Sequence, residues 1–155
     1  MTRITHLSHI VENHVLWTAL LAWLIAQVAK VVVILVTEKR LNIRKIIQSG
    51  GMPSSHAAMA TALAMGVGFR EGFGEPIFAL ACALALIVMY DASGVRRQAG
   101  RHAKVINQML TELENLIEKG TPINQETLID WIGHTPIEVL VGAVLGGVVA
   151  ALILS

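Results

Sequence analysis

An apolar run from Val15 to Val36 constrains the fold of this chain more than any other feature, because it holds about 22 residues and a single charge, Lys30. At a rise of about 1.5 Å per residue, a helix of that length crosses the hydrocarbon core of a bilayer. Three shorter apolar runs follow, at 52–69, 76–91 and 136–154. A helix that is apolar on every side needs burial on every side, and a soluble protein of 155 residues cannot bury four of them. The sequence therefore predicts an all-α, polytopic membrane helical bundle with four transmembrane helices, formed by residues 1–155 as a single domain.

The composition agrees with a membrane location. The chain is 54% hydrophobic but only 5% aromatic, and its mean hydropathy is +0.63. The formal net charge of +1 excludes a broad nucleic-acid-binding surface, so we expect the lipid bilayer as a partner and no nucleic acid. The residues from Thr2 to His14 are mostly polar, and the apolar run after them is too long for a typical signal peptide. We therefore expect the first span to be retained.

Positive charge is concentrated in the first and third of the three connecting loops. The first loop, 37–51, carries Lys39, Arg40, Arg44 and Lys45, and the third loop, 92–135, begins with Arg96, Arg97, Arg101 and Lys104. Four crossings put these two loops on the same side, and the positive-inside rule assigns that side to the cytoplasm. The sequence predicts a multi-pass protein of a bacterial-type plasma membrane, with both termini outside.

The third loop has a helical period of its own, which predicts a cytoplasmic helical insertion over 95–133. A stripe of side chains, apolar or small except for His102, recurs in steps of three and four at Ala99, His102, Ile106, Met109, Leu113 and Leu116. Gly120-Thr121-Pro122 would end this helix, and Gln125 to Ile132 is a predicted second, short helix. Two interpretations stay open. The stripe lies on the bilayer or the bundle, or it forms a short coiled coil that pairs two chains in a homodimer.

Small residues at four-residue spacing predict where the spans pack closely. Gly142 and Gly146 lie four apart in the last span, and Ala58 and Ala62 do so in the second. Such residues let two helix backbones approach each other in lipid.

The polar groups of the four spans fall at the same, cytoplasmic end. They are Lys30 near the end of the first span, Pro53-Ser54-Ser55-His56 at the start of the second, Asp91 with Arg96 and Arg97 after the third, and His134 with Glu138 at the start of the fourth. Charged groups within spans are costly and tend to mark functional sites. Their convergence predicts one polar site that faces the cytoplasm.

Phosphate chemistry suits this set of side chains. A helix N-terminus binds anions, and Ser54 and Ser55 add hydroxyl donors there. The side chains of Lys30, Arg96 and Arg97 supply positive charge. Two histidines offer a nucleophile and a proton donor, and a carboxylate can orient an imidazole. This chemistry needs no metal and no cofactor, and we expect neither.

Each group also has a structural interpretation. Pro53 would suit the first turn of an ordinary helix. Thr135-Pro136-Ile137-Glu138 reads as a capping box, in which Glu138 serves only the helix start. Lys30 would pair with Asp91, and His56 would be a hydrogen-bonded core histidine. One of the two arginines would be a membrane-surface anchor.

Three stretches resemble a known family: GGMPSSHAAMATALAMGVGF, ALIVMYDASGVRRQAGRHAKVINQ and GHTPIEVLVGAVLGG. They are similar to the divergent branch of the type-2 phosphatidic acid phosphatase superfamily, which also includes vanadium-dependent haloperoxidases. Enzymes of that superfamily usually carry the motifs K-x6-R-P, P-S-G-H and S-R-x5-H-x3-D in six-helix membrane proteins. The resemblance implies a reduced bundle or a dimer here.

The resemblance also implies roles for individual residues. The segment from Pro53 to His56 is similar to P-S-G-H, which implies Ser54 and Ser55 as phosphate donors and His56 as the general acid for the leaving group. His134-x3-Glu138 resembles H-x3-D, which implies His134 as the nucleophile and Glu138 as the residue that orients it.

The match to the other motif positions is partial. Lys30 corresponds to the lysine of the first motif, but Thr37 stands where its arginine is expected. Leu128 stands six residues before the nucleophile, and Arg96 or Arg97 replaces that arginine if residues 98–133 are an insertion. The resemblance implies hydrolysis of a lipid phosphate or pyrophosphate through a phosphohistidine. The alternatives are a non-enzymatic protein that binds an anionic phospholipid head group or a partner protein, and a structural membrane protein whose helix starts mimic the motif.

Overall fold

The computed structural model describes residues 10–39, 50–116, 128 and 132–155, and within these ranges the chain is helical with no strand. The helices are α1 (His14–Glu38), α2 (Ser55–Glu71), α3 (Pro76–Ser93), α4 (Val95–Leu116) and α5 (Pro136–Leu154). The predicted all-α membrane bundle is therefore confirmed. The basic residues Arg40, Arg44 and Lys45 of the first loop lie outside the described residues.

Three stretches of helix in the described part of the chain are long and apolar enough to cross a membrane. They are His14–Thr37, Pro76–Leu113, which joins α3 to α4, and Pro136–Leu154. Helix α2 has 17 residues, which is at the lower limit of about 17 for a membrane crossing. The bundle is compatible with the four predicted spans.

Helix α2 begins three residues later than the apolar run that predicted it. The hydroxyl of Ser54 accepts a hydrogen bond from the backbone N–H of Ala57 at 3.3 Å, which makes Ser54 the N-cap. Pro53 therefore precedes the helix and does not occupy its first turn. Serine is among the preferred N-cap residues because its short side chain reaches the free N–H groups of the first turn.

Helix α2 is the centre of the bundle and packs against α1, α3 and α5. Its contact with α5 is between backbones. A Cβ atom added at Gly142 would collide with the carbonyl oxygen of Ser54, and one added at Gly146 would collide with that of Ala58. Ala58 and Ala62 are fully buried. The predicted close packing of small residues is confirmed, and it fixes the register of α2 and α5.

Helix α1 runs antiparallel to α2, and α5 runs parallel to α2. Near the C-terminal end of α2, a Cβ atom at Gly66 would lie 3.0 Å from side-chain atoms of both Val15 and Leu154. At the other end, the backbone N–H of Ser54 donates to the carbonyl of Glu138 at 3.0 Å. The end of α1, the starts of α2 and α5 and the end of α3 therefore meet at one end of the bundle.

A single residue, Gly94, separates the end of α3 from the start of α4, and the apolar side chains of α4 are exposed. Ile106, Met109 and Leu113 of the predicted stripe are each more than 40% exposed. The predicted helix stop at 120–122 lies outside the described residues. Most of the second helix predicted at 125–132 does so as well, and its described residues Leu128 and Ile132 are not helical.

Candidate active site

Gly133 brings the start of α5 against the start of α4. Its φ of +101° lies in the left-handed region that favours glycine. A Cβ atom at this position would collide with the backbone N of Arg97 and lie 2.7 Å from the carbonyl carbon of Arg96. The next residue, His134, donates its backbone N–H to the carbonyl of Ala92 at 2.9 Å. These contacts hold the His134 imidazole beside the junction of α3 and α4.

The side chain of Glu138 contacts the His134 ring and also caps the N-terminus of α5. Its Oε2 lies 3.3 Å from Nδ1 of His134 and accepts the backbone N–H of Thr135 at 2.9 Å. The hydroxyl of Thr135 accepts the N–H of Glu138 at 3.3 Å, which completes a capping box. The two sequence interpretations of Glu138 are therefore compatible, because one carboxylate oxygen serves both contacts.

The second ring nitrogen of His134 is left without a partner. The residue is 2% exposed, and its Nε2 is buried with no hydrogen-bond partner among the described residues. A neutral imidazole that donates its Nδ1–H to a carboxylate carries its lone pair on Nε2. This nitrogen is therefore set up to act as a nucleophile or a hydrogen-bond acceptor.

A small cavity of about 20 Å³ lies beside His134. It is lined by His56, Val88, Asp91, Ala92, Arg96 and His134. A space of that size holds about one water molecule. Of the predicted site residues, the structure thus brings both histidines, Asp91 and Arg96 to a common cavity.

His56 faces His134 across this cavity from the first turn of α2. The two ring centroids are 6.4 Å apart, and the ring planes make an angle of 62°. His56 is exposed, whereas His134 is buried. His56 is therefore not a buried core histidine, and its position allows it to exchange protons with water while it remains close to His134.

Arg96 and Asp91 form an ion pair at the cavity. The Nε atom of Arg96 lies 2.6 Å from Oδ2 of Asp91, and both side chains are partly exposed. The alternative pair of Lys30 with Asp91 is not what the structure shows. Arg97 does not line the cavity, and its backbone packs against Gly133.

Lys30 is 2% exposed although it carries a charge within α1. Its methylene groups would lie 3.7 Å from a Cβ atom at Gly51. The segment that leads into α2 therefore covers Lys30. It does not line the cavity, but its charge acts on Glu138 and on His56. The attraction of Lys30 to Glu138 offsets part of the cost of burying a charge within a membrane span.

Ser54 and Ser55 lie at the N-terminus of α2, and both are buried. Neither lines the cavity, and the Ser54 hydroxyl already accepts the helix-capping hydrogen bond. The sequence interpretation missed the cavity wall made by Val88 and Ala92. The signal was present, because Val88, Asp91 and Ala92 have the three- and four-residue spacing of one helix face.

Helical membrane spans that carry a carboxylate-held histidine at one end of the bundle define an integral membrane protein with a buried polar site. The chain belongs to the divergent PAP2 family, whose sequence profile matches residues 11–149. It is 35% identical over 153 residues to the uncharacterized membrane protein YuiD of Bacillus subtilis strain 168, with 94% of this chain and 96% of that protein covered. No solved structure matches this chain.

Proposed function

We propose that this protein is a membrane phosphohydrolase that removes a phosphate group from a lipid monoester or pyrophosphate through a phosphohistidine on His134. The observation that carries the proposal is the state of the His134 ring. Nδ1 is held by Glu138, and Nε2 is buried without a partner in a residue that lines the cavity. A structural histidine in such a position would normally have both nitrogens satisfied.

In the first step, the lone pair of His134 Nε2 attacks phosphorus and forms a P–N bond, while the P–O bond to the lipid breaks. Protonated His56 donates its proton to the leaving oxygen, so the lipid departs as an alcohol or, from a pyrophosphate, as a phosphate. The carboxylate of Glu138 stabilises the positive charge that develops on the His134 ring. In the second step, neutral His56 takes a proton from water, the oxygen attacks phosphorus and the P–N bond breaks.

Positive charge for the phosphate comes from Arg96 at the cavity and from the buried Lys30, whose charge acts on His56. The N-termini of α2 and α5 point toward the same end of the bundle, and helix N-termini favour anions. The buried Ser54 and Ser55 would donate to a phosphate that enters more deeply than the present cavity extends. Arg97 does not line the present cavity, and its backbone contacts Gly133.

The location of the site favours a lipid as the substrate. The histidines lie at the ends of membrane-spanning helices. The ends of such helices lie at the depth of the lipid head groups. The basic residues after α3 favour a cytoplasmic position for this end under the positive-inside rule, in a bacterial-type plasma membrane. A phosphorylated head group of the inner leaflet would reach the cavity without leaving the bilayer.

The exposed apolar residues of α4 favour a homodimer. Ile106, Met109 and Leu113 occupy one helical stripe and have no cover within the described part of the chain. A second copy of the same stripe would bury them through a coiled-coil contact.

A second function is supported by one observation, the closed state of the cavity. Arg96 is bound to Asp91, and a space of about 20 Å³ is too small for a phosphate group. On this alternative, the protein binds an anionic phospholipid head group, or a partner protein, without cleaving anything.

Phosphate trapping separates the two functions. Purified protein is incubated with a panel of lipid phosphates and pyrophosphates, and released phosphate and modified peptides are measured at neutral or alkaline pH, where phosphohistidine survives. We expect turnover with at least one lipid and a phosphate adduct on His134, with both lost in His134→Ala. His102→Ala, which removes an exposed histidine on α4, is the matched control. Binding of the lipid without release of phosphate and without an adduct would support the non-enzymatic function.

A further inference from the structure

We propose that Asp91 competes with ligands for the anion site. Its carboxylate forms an ion pair with Arg96 until a ligand phosphate displaces the carboxylate. The inference rests on the proposed anion site, but it does not require that the bound anion is hydrolysed. It starts from the only carboxylate among the residues that line the cavity in the described part of the chain.

The position of Asp91 is unusual for an anion site. A carboxylate that faces the space reserved for a phosphate repels it, because like charges at short distance raise the free energy of the bound state. That repulsion is absent while Asp91 is neutralised by Arg96 at 2.6 Å. The ion pair therefore belongs to the ligand-free state, in which the Asp91 carboxylate binds Arg96 as the ligand phosphate would.

The size of the cavity agrees with this state. About 20 Å³ admits one water molecule and no phosphate, so an anion can enter only after a lining side chain moves. Val88 and Ala92 are short side chains on the helix α3, and His134 is held by Glu138. Arg96 is the long, flexible member of the lining set, and it is exposed on one side. Movement of Arg96 away from Asp91 is the change that opens the cavity.

The strength of the pair suits an exchange of partners. Both side chains are solvated in part, with 47% of the Arg96 and 39% of the Asp91 side chain exposed, and such pairs are weak. A phosphate gains Arg96 together with the positive charge of Lys30, which acts in the same region. A free anion with only one contact would gain no more binding free energy from Arg96 than the Asp91 carboxylate does. Asp91 is also held beside Arg96 by the chain, so such an anion does not displace it. Asp91 is thus a specificity-determining residue that excludes weak anions.

The competition predicts the sign of a substitution effect. Asp91→Asn keeps the shape of the side chain and removes its charge, so it frees Arg96 and abolishes the repulsion. Anions should then bind more tightly, and the gain should grow with the charge of the ligand. If Asp91 instead served to hold Arg96 in its binding position, the same substitution would weaken binding.

The experiment measures the affinity of two non-hydrolysable probes by calorimetry in detergent. Phenylphosphonate, above its second pKa, is a dianion, and its monomethyl ester is a monoanion of similar shape. In Asp91→Asn, we expect about two- to fivefold tighter binding of the monoanion and a larger gain for the dianion. Both gains should shrink as the salt concentration rises. Glu112→Gln, which removes one negative charge from an exposed position on α4, should change neither affinity.

Three results would overturn the inference: unchanged affinities in Asp91→Asn, weaker binding in it, or no binding of either probe to any variant. Asp91→Ser removes the same charge and repeats the test if the asparagine variant is unstable. The outcome is independent of catalysis. If the probes bind and Asp91→Asn binds them more tightly, but no lipid phosphate is hydrolysed, the competitor role stands and the hydrolase proposal fails.

Discussion

Oε2 of Glu138 lies 3.3 Å from Nδ1 of His134, across one turn at the start of α5. Because the same oxygen accepts the N–H of Thr135, the carboxylate cannot rotate away without breaking a helix cap. The imidazole is thus oriented by a group that is itself fixed by the backbone. Catalytic histidines need this kind of support, since the tautomer decides which nitrogen carries the lone pair.

Glu138→Gln should separate the two tasks of Glu138. The amide oxygen can keep both hydrogen bonds, but the amide lacks the negative charge that stabilises the positive charge developing on the His134 ring. We expect turnover to fall by about 10²- to 10⁴-fold in an assay of phosphate release. Thr135→Ala is the matched control, because it removes the cap at a cost of about 0.5–2 kcal/mol in unfolding free energy and leaves the carboxylate on His134. Equal losses of turnover in both variants would show that only the helix start matters.

His56→Ala tests the proton donor. Turnover on a lipid alkyl phosphate should fall by about 10²- to 10⁴-fold, because the alkoxide then leaves without a proton. A nitrophenyl phosphate has a good leaving group, so the first step on it, measured as the initial burst of nitrophenol, should slow much less, although its steady turnover falls because His56 also serves the second step. Equal slowing of the first step on both substrates would remove His56 from the general-acid role.

Gly142→Ala tests the backbone contact between α2 and α5. The added methyl group collides with the carbonyl oxygen of Ser54, so we expect destabilisation by at least about 1–3 kcal/mol. Gly147→Ala is the control, since its Cβ atom would lie 3.9 Å from the nearest atom, a side-chain carbon of Thr61. Thermal unfolding in detergent should show a lower midpoint for the first variant and an unchanged or higher one for the second.

Cysteine labelling in intact cells tests the orientation. In a Cys82→Ala background, Gln108→Cys on α4 should resist a membrane-impermeant thiol reagent, because the basic end of the bundle is expected in the cytoplasm. Gly74→Cys, in the turn between α2 and α3 at the other end, should react, since nothing lies within 4 Å of its Cβ position. The reverse pattern would place the site outside the cell.

Leu113→Lys tests the homodimer. A charge in the apolar stripe of α4 should shift the purified protein from dimer to monomer in light scattering, because it would be buried in the contact. Gln108→Lys adds the same charge at another exposed position of α4 and should leave the assembly intact. A wild-type protein that is monomeric at high concentration would rule out this contact.

The sequence predicted the spans and the end of the bundle at which polar groups meet, because hydropathy and loop order determine both. It did not distinguish Arg96 from Arg97 as the residue at the cavity. That choice depends on how Gly133 packs against the start of α4, which is a contact between segments distant in the chain. The pairing of Asp91 with Arg96 in place of Lys30 has the same origin, since Lys30 is covered by the segment around Gly51.

The contact of Gly142 and Gly146 with α2 has a consequence for the two histidines. His56 lies in the first turn of α2, and His134 immediately precedes α5. The separation of the two helix starts that carry the rings is therefore set by main-chain contacts, whereas Glu138 orients the His134 ring. Substitutions at lipid-facing positions should therefore leave the spacing of the two helix starts unchanged.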